Sequence, residues 1–149
     1  MNIIVQEFLD QSIFRINEST PKIIKCLDAL SEEQIWVRPN EVSNSIGNII
    51  LHLCGNIRQY IISALGDEPD IRERDKEFSA RSGYSKKELQ VKLVATVKEA
   101  VNVIQNIDEK RLVKIFLCRD STFRVLALLF MLQNITPTIQ GRSSSGQNC

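Results

Sequence analysis

This sequence predicts an all-α helical bundle, and three observations carry the prediction. Apolar residues recur at mostly three-to-four spacing in three separate stretches, near residues 3–30, 46–64 and 89–104. The second and third stretches each open on a capping signal, Asn44-Ser45 before one and Ser85 with Glu88 before the other. The chain has 149 residues, enough for one domain with a real core, and three helices of this size call for a fourth to close a bundle.

The first stretch carries Ile4, Phe8, Ile16, Ile23, Ile24, Leu27 and Leu30 on a helix over residues 3–30. Pro21 follows Ser19-Thr20, so it either kinks one long helix or opens a second. Ser31 starts a short acidic turn, SEEQ. Trp36, Arg38 and Pro39 follow in an extended connection, because the residue before proline avoids the helical region. Asn44 or Ser45 caps the second stretch, whose apolar face runs through Ile46, Ile49, Ile50, Leu53, Ile57, Ile61 and Ala64 to a stop at Gly66. Residues 67–84 read as a long polar connection. Leu89, Leu93, Val97, Ala100, Val101 and Ile104 then define the third helix, and Asp108–Arg111 reads as the turn after it.

Composition narrows the function classes. The chain is 43% hydrophobic and 25% charged, ordinary for a soluble globular protein. A net charge of +1 with scattered Lys and Arg argues against a nucleic-acid partner. The longest apolar run, Val125 to Leu132, is too short for a bilayer, which needs about 20 residues. No signal peptide is evident, so the expected location is the cytoplasm. Cys26, Cys54, Cys118 and Cys149 show no zinc spacing and read as reduced thiols, with Cys26 and Cys54 filling the core.

The candidate site centres on His52, the one histidine in the chain. At roughly 100° per residue it lies on a flank of the second helix, with Asn56 and Gln59 near the same line. Such a polar stripe suits a pocket wall and equally suits solvent exposure. Trp36 reads as a packing residue over the end of the bundle, with substrate stacking as the alternative. Arg38, Arg74 and Asp75 either line a pocket mouth or brace loops as ion pairs. No Ser-His-Asp or Cys-His arrangement can be built on a single histidine.

Several motifs stand in a recognisable order: LSEEQ-x-W-x-RPN at 30–40, SNSIGN at 43–48, H-L-x-GN-x-RQ at 52–59 and GDEPDIRERDKEF at 66–78. Over roughly residues 5–112 the chain resembles the DinB/YfiT-like superfamily, in particular its uncharacterised branch of small bacterial proteins. The resemblance implies a four-helix bundle with a divalent metal, zinc or nickel, near one end. It implies three histidine ligands, one on the second helix and two spaced H-x-x-x-H on the fourth, ahead of a G-Q. His52 matches the first; the other two have no counterpart here. Three histidines would hold the ion and leave an open position for an activated water, and one supplies neither the affinity nor the geometry. The implied activity is thiol transfer or hydrolysis on a small molecule of unknown identity. A homodimer is compatible with such bundles. The rival reading is a non-enzymatic helical module that binds a partner or small ligand without metal.

The tail offers an account of the missing ligands, a change of reading frame, with a truly divergent C-terminus as the alternative. Codons for Phe130–Cys149, read from the third base of the Phe130 codon, can spell HVAEHYSYHTGQIIFWAKL. That string contains H-x-x-x-H followed by T-G-Q. The same shift lets residues 116–129 read LVQGFDFSGIGIIV. The observed protein largely fixes the second and third base of each shifted codon, so the agreement is hard to reach by chance. The expectation is a one-base insertion or deletion near Lys114–Phe116, which divides the chain into residues 1–114, three helices of the bundle, and 115–149, out of frame. The fourth helix is then altered or incomplete, with a short accidental helix over 121–134 and no order over 137–149.

Overall fold

A computed structural model of the chain describes residues 2–112. The expectations for the fourth helix, for residues 121–134 and 137–149, and for Cys118 and Cys149 lie outside the described residues. Among the described residues the architecture is all-α.

Asn2 caps α1 (Ile3–Asp28) by accepting from the Ile4 N–H at 2.9 Å. The helix runs unbroken through Pro21, so the proline lies inside one long helix and does not open a second. Pro21 cannot donate to the Asn17 carbonyl, and one residue earlier Thr20 Oγ1 donates to the Ile16 carbonyl at 2.8 Å. The core stripe of α1 is Leu9, Ile16, Ile23, Cys26 and Leu27. Ile4, expected on that stripe, is exposed because it lies in the first turn, beyond the end of the core.

The SEEQ segment is more than a turn. Ser31 and Gln34 form a capping box for α2 (Glu32–Trp36), so Trp36 ends a helix instead of starting an extended strip. The backbone becomes extended at Val37, ahead of Arg38-Pro39. Ser45, not Asn44, caps α3 (Ile46–Ile57), with Asn48 closing its capping box. Ile50, Leu53 and Ile57 are completely buried, each contributing about 1.5–3 kcal/mol by burial.

Beyond Ile57 the helix widens. Arg58–Ser63 is π-helical, with Ala64 N–H donating to the Gln59 carbonyl at 3.1 Å and Gly66 N–H to Ile61 at 3.0 Å. The wider turn shifts the phase of the apolar face. Ile62 and Leu65 turn inward and Ala64 outward, against the periodic expectation. Gly66 is where the chain leaves the helix, but the left-handed residue is Asp67, with φ 66°. A side chain on Gly66 would collide with the Ile62 carbonyl.

The polar connection contains a further helix, α4 (Arg74–Ser79), which has too few residues and too few apolar positions to show a period. Ser85 and Glu88 cap α5 (Lys86–Gln105) as expected. Leu89, Leu93, Ala100 and Ile104 are buried along it. α5 is the common partner against which α1, α3 and the π-helical segment pack, while α4 packs on α3. The expected turn at 108–111 is short, since residues 109–112 are already helical. Asn2 N–H donates to Glu109 Oε1 at 3.0 Å, and Arg111 pairs with Asp67 at 2.9 Å, which brings that segment to the start of α1 and the end of the π-helical turn. Among the described residues no helix is long and apolar enough to cross a membrane.

Candidate functional site

The site is built where α4 docks on α3. Asn48, completely buried, makes the joint. Its Nδ2 donates to the carbonyls of Glu77 at 2.8 Å and Ala80 at 2.9 Å, which ties the C-terminal turn of α4 to the first turn of α3. Its Oδ1 accepts from Ser45 N–H at 3.1 Å and from Arg38 Nη2 at 2.9 Å. Arg38 Nη2 also donates to the Phe78 carbonyl at 2.6 Å. Arg38 is thus a brace between the α2–α3 connection and α4, through hydrogen bonds to an amide and a carbonyl oxygen and not through the ion pair expected of it.

This docking lays Glu77 over α3 at a place where the helix has no side chain. A Cβ on Gly55 would fall inside contact with Glu77 Oε1 and lie 2.7 Å from its Cδ and 2.8 Å from Arg72 Nε. Glu77 and Arg72 form a paired fork, with Nε to Oε1 at 2.7 Å and Nη2 to Oε2 at 2.8 Å. Their side chains are 10% and 5% exposed, so each charge depends on the other for compensation. The Arg72 guanidinium is held even more firmly protonated than usual, first by its hydrogen bond to Glu77.

His52 lies beside this pair, 25% exposed at its side chain. Its Nδ1 is 3.0 Å from Glu77 Oε2 and 3.0 Å from Arg72 Nη2. Its Nε2 is 3.2 Å from Asn56 Nδ2. One ring nitrogen cannot both donate to Glu77 and accept from Arg72, so the tautomer decides which contact is a hydrogen bond. The Phe78 ring tilts against the imidazole, centroids 4.7 Å apart. Gln59 is joined to the same network through Arg72, whose Nη1 donates to its Oε1 at 2.8 Å. Gln59 Nε2 donates in turn to Asp70 Oδ2 at 2.7 Å.

The structure therefore brings together His52, Asn56 and Gln59. Arg74 stacks over the outer face of Phe78, 5.6 Å from its centroid. Asp75 is exposed in the first turn of α4. Trp36 sits on Gly47, where any Cβ would come within 2.8 Å of the indole, and its Nε1 donates to the Tyr84 carbonyl at 3.0 Å. Glu77, Arg72 and Asn48 are the central polar residues that reading the sequence missed. The signal for them is Gly55, a mid-helix glycine one turn from His52, which marks a close approach by another element.

On the far side of the Glu77–Arg72 pair is a cleft of about 400 Å³ between α3, α4 and α5. Leu51, Ile71, Ala80 and Tyr84 give it apolar walls, and Arg58, Lys76 and Lys92 bring charge to it. Cys54, on its floor, is pushed up to about 11 by burial and is a neutral thiol at physiological pH. None of the seven residues singled out from the sequence lines this cleft.

The family model described as Protein of unknown function (DUF1572) matches residues 3–131. No curated protein and no solved structure matches the chain.

Proposed function

The chain belongs to the family described as Protein of unknown function (DUF1572), and from that premise we propose that it is a DinB-like bundle related to divalent-metal-dependent enzymes of the thiol-transferase or hydrolase type, inactive as it stands. The observation that supports this reading is the setting of His52. A metal-binding histidine characteristically gives its second ring nitrogen to a carboxylate, which fixes the tautomer and aims the other nitrogen at the ion. Glu77 is so placed at Nδ1, anchored by Arg72, while Nε2 meets only a neutral amide.

The residues present do not fit a catalytic ion. Zinc or nickel chemistry of this kind needs about three protein ligands and an open position. The chain has one histidine, and among the described residues no three His, Cys, Asp or Glu side chains are grouped to hold a metal. The missing pair belongs, on this proposal, to the alternative frame of residues 115–149. Location in the cytoplasm, a small-molecule substrate, a homodimer and the lack of a nucleic-acid partner are parts of the same reading.

The test begins with the gene. Sequencing fresh genomic DNA from the Leu112 codon to the stop should show a base gained or lost near Lys114. The chain with restored frame should then bind about one divalent ion per molecule by elemental analysis, and the chain as it stands should bind none. Codons that cannot give the shifted reading, or equal metal content in both proteins, refute the proposal. The rival, a binding module without metal, draws on the cleft beside Tyr84, which His52 does not line.

A further inference from the structure

We infer that the cleft between α3, α4 and α5 binds a small amphipathic organic anion, its acidic group at Lys92 and its apolar body against Leu51, Ile71 and Tyr84. No residue of the cleft is a proposed metal ligand, although Glu77 and Arg72, which set His52, form one of its walls.

Charge balance points to an anion. Four cations line the cleft, Arg58, Arg72, Lys76 and Lys92, against two carboxylates, Glu73 and Glu77. Arg72 is consumed by Glu77, and Lys76 pairs with Glu73 at 2.8 Å on an exposed flank. Arg58 reaches out of the cleft to Glu99 at 2.7 Å, a partly exposed pair that contributes little and can be shared with a ligand. Lys92 has no carboxylate partner among the described residues and instead lies over the Tyr84 ring, 5.8 Å from its centroid. Its positive charge acts on the cleft floor, favouring the Cys54 thiolate against the larger effect of burial.

Shape points to an amphipathic molecule. About 400 Å³ is within the range of small-molecule sites, which are apolar with a few placed polar groups. Leu51, Ile71, Ala80 and the Tyr84 ring supply the apolar part, and Thr96 is the hydroxyl beside Lys92's end of the cleft. A purely inorganic anion would leave those walls uncovered, and a neutral apolar ligand would forgo the attraction of Lys92, which stands exposed at the rim.

The probe is anilinonaphthalene sulfonate, compared with its uncharged relative phenylnaphthylamine, on the full chain. The expected result is saturable binding at one site, with the neutral relative weaker. Lys92→Met should weaken the sulfonate by about fivefold or more and leave the neutral dye unchanged. Lys98→Met, an exposed cation on the α1-facing side of α5, should change neither. Because such dyes also enter loosened cores, backbone amide shifts are followed in parallel. They should move at Gly55, Lys92 and Thr96 and not along α1. Absence of saturable binding, equal losses in the two lysine variants, or shifts spread through the core overturn the inference.

Discussion

Gly55→Ala is the substitution on which the geometry of the site is most exposed to test. In an isolated helix it would stabilise, since alanine is favoured over glycine in a helix interior by about 1 kcal/mol. Here the new methyl would occupy the space of Glu77 Oε1 and approach Arg72 Nε to 2.8 Å. Glu77 cannot swing aside freely. Its carboxylate is held by two nitrogens of Arg72, and its backbone carbonyl by Asn48. Breaking a buried pair by removing one partner costs about 3–5 kcal/mol. Both partners remain in this variant and can meet again at a displaced position, so only part of that cost applies. After the helix gain is subtracted, a net loss of about 2 kcal/mol is expected. For a chain of this length that lowers Tm by about 4–8 °C. Thermal and urea unfolding followed by circular dichroism read it directly. An unchanged or raised Tm would mean that the Glu77–Arg72 pair does not lie over α3, and the account of His52 would go with it.

Three further outcomes follow from the same structure. Arg72→Met should destabilise by about 3 kcal/mol by leaving Glu77 buried without its cation, and Glu77→Gln with Arg72→Met together should cost less than the sum of the two alone, measured as a double-mutant cycle. The Cys54 thiol is raised from 9.0 to about 11, so its contribution to stability is whole below about pH 9 and is lost as the pH climbs through the folded value; Cys54→Ala should flatten that alkaline decline in unfolding curves. Glu88 is held below the usual carboxylate range, first by the Ser85 backbone N–H; its contribution is present above that range and lost as pH falls through the lowered value, so Glu88→Gln should flatten the acid limb of Tm against pH, while Ser85→Ala should cost about 1 kcal/mol at neutral pH.

What the sequence revealed of the fold depends on how local the cause is. α1, α3 and α5 are legible because each repeats apolar residues over several turns, and α3 and α5 also begin on a side chain whose capping role the sequence shows. α2 is half legible: its capping box can be read, but five residues hold too little periodicity to separate a helix from a turn. The π-helical segment is not legible, because inserting one residue in a turn leaves no mark in composition. Its effect is seen only where Leu65 is buried in place of Ala64. α4 is hidden for another reason. In DIRERDKEF seven of nine residues are charged, and nothing local separates Arg72 and Glu77, which go inside, from Glu73 and Lys76, which stay out.

The same division explains the site. His52, Asn56 and Gln59 could be grouped because a helix alone aligns them. The carboxylate and guanidinium that orient the imidazole arrive from residues 72–77, through Asn48's hold on α4, and that is a tertiary fact. It has a consequence for the proposed history of the gene. All the groups that set His52 lie before residue 112, and none needs a metal to be satisfied. Glu77 is neutralised by Arg72, Asn48 has partners on each of its polar atoms, and Nε2 has Asn56. A shift of frame after Lys114 would remove the remaining ligands and leave this half of the site intact, because its energy comes from a buried ion pair and an amide network and not from coordination. Restoring the frame would therefore add ligands to a histidine already oriented, and the gain should appear as metal affinity with little change in the positions of His52 and Glu77.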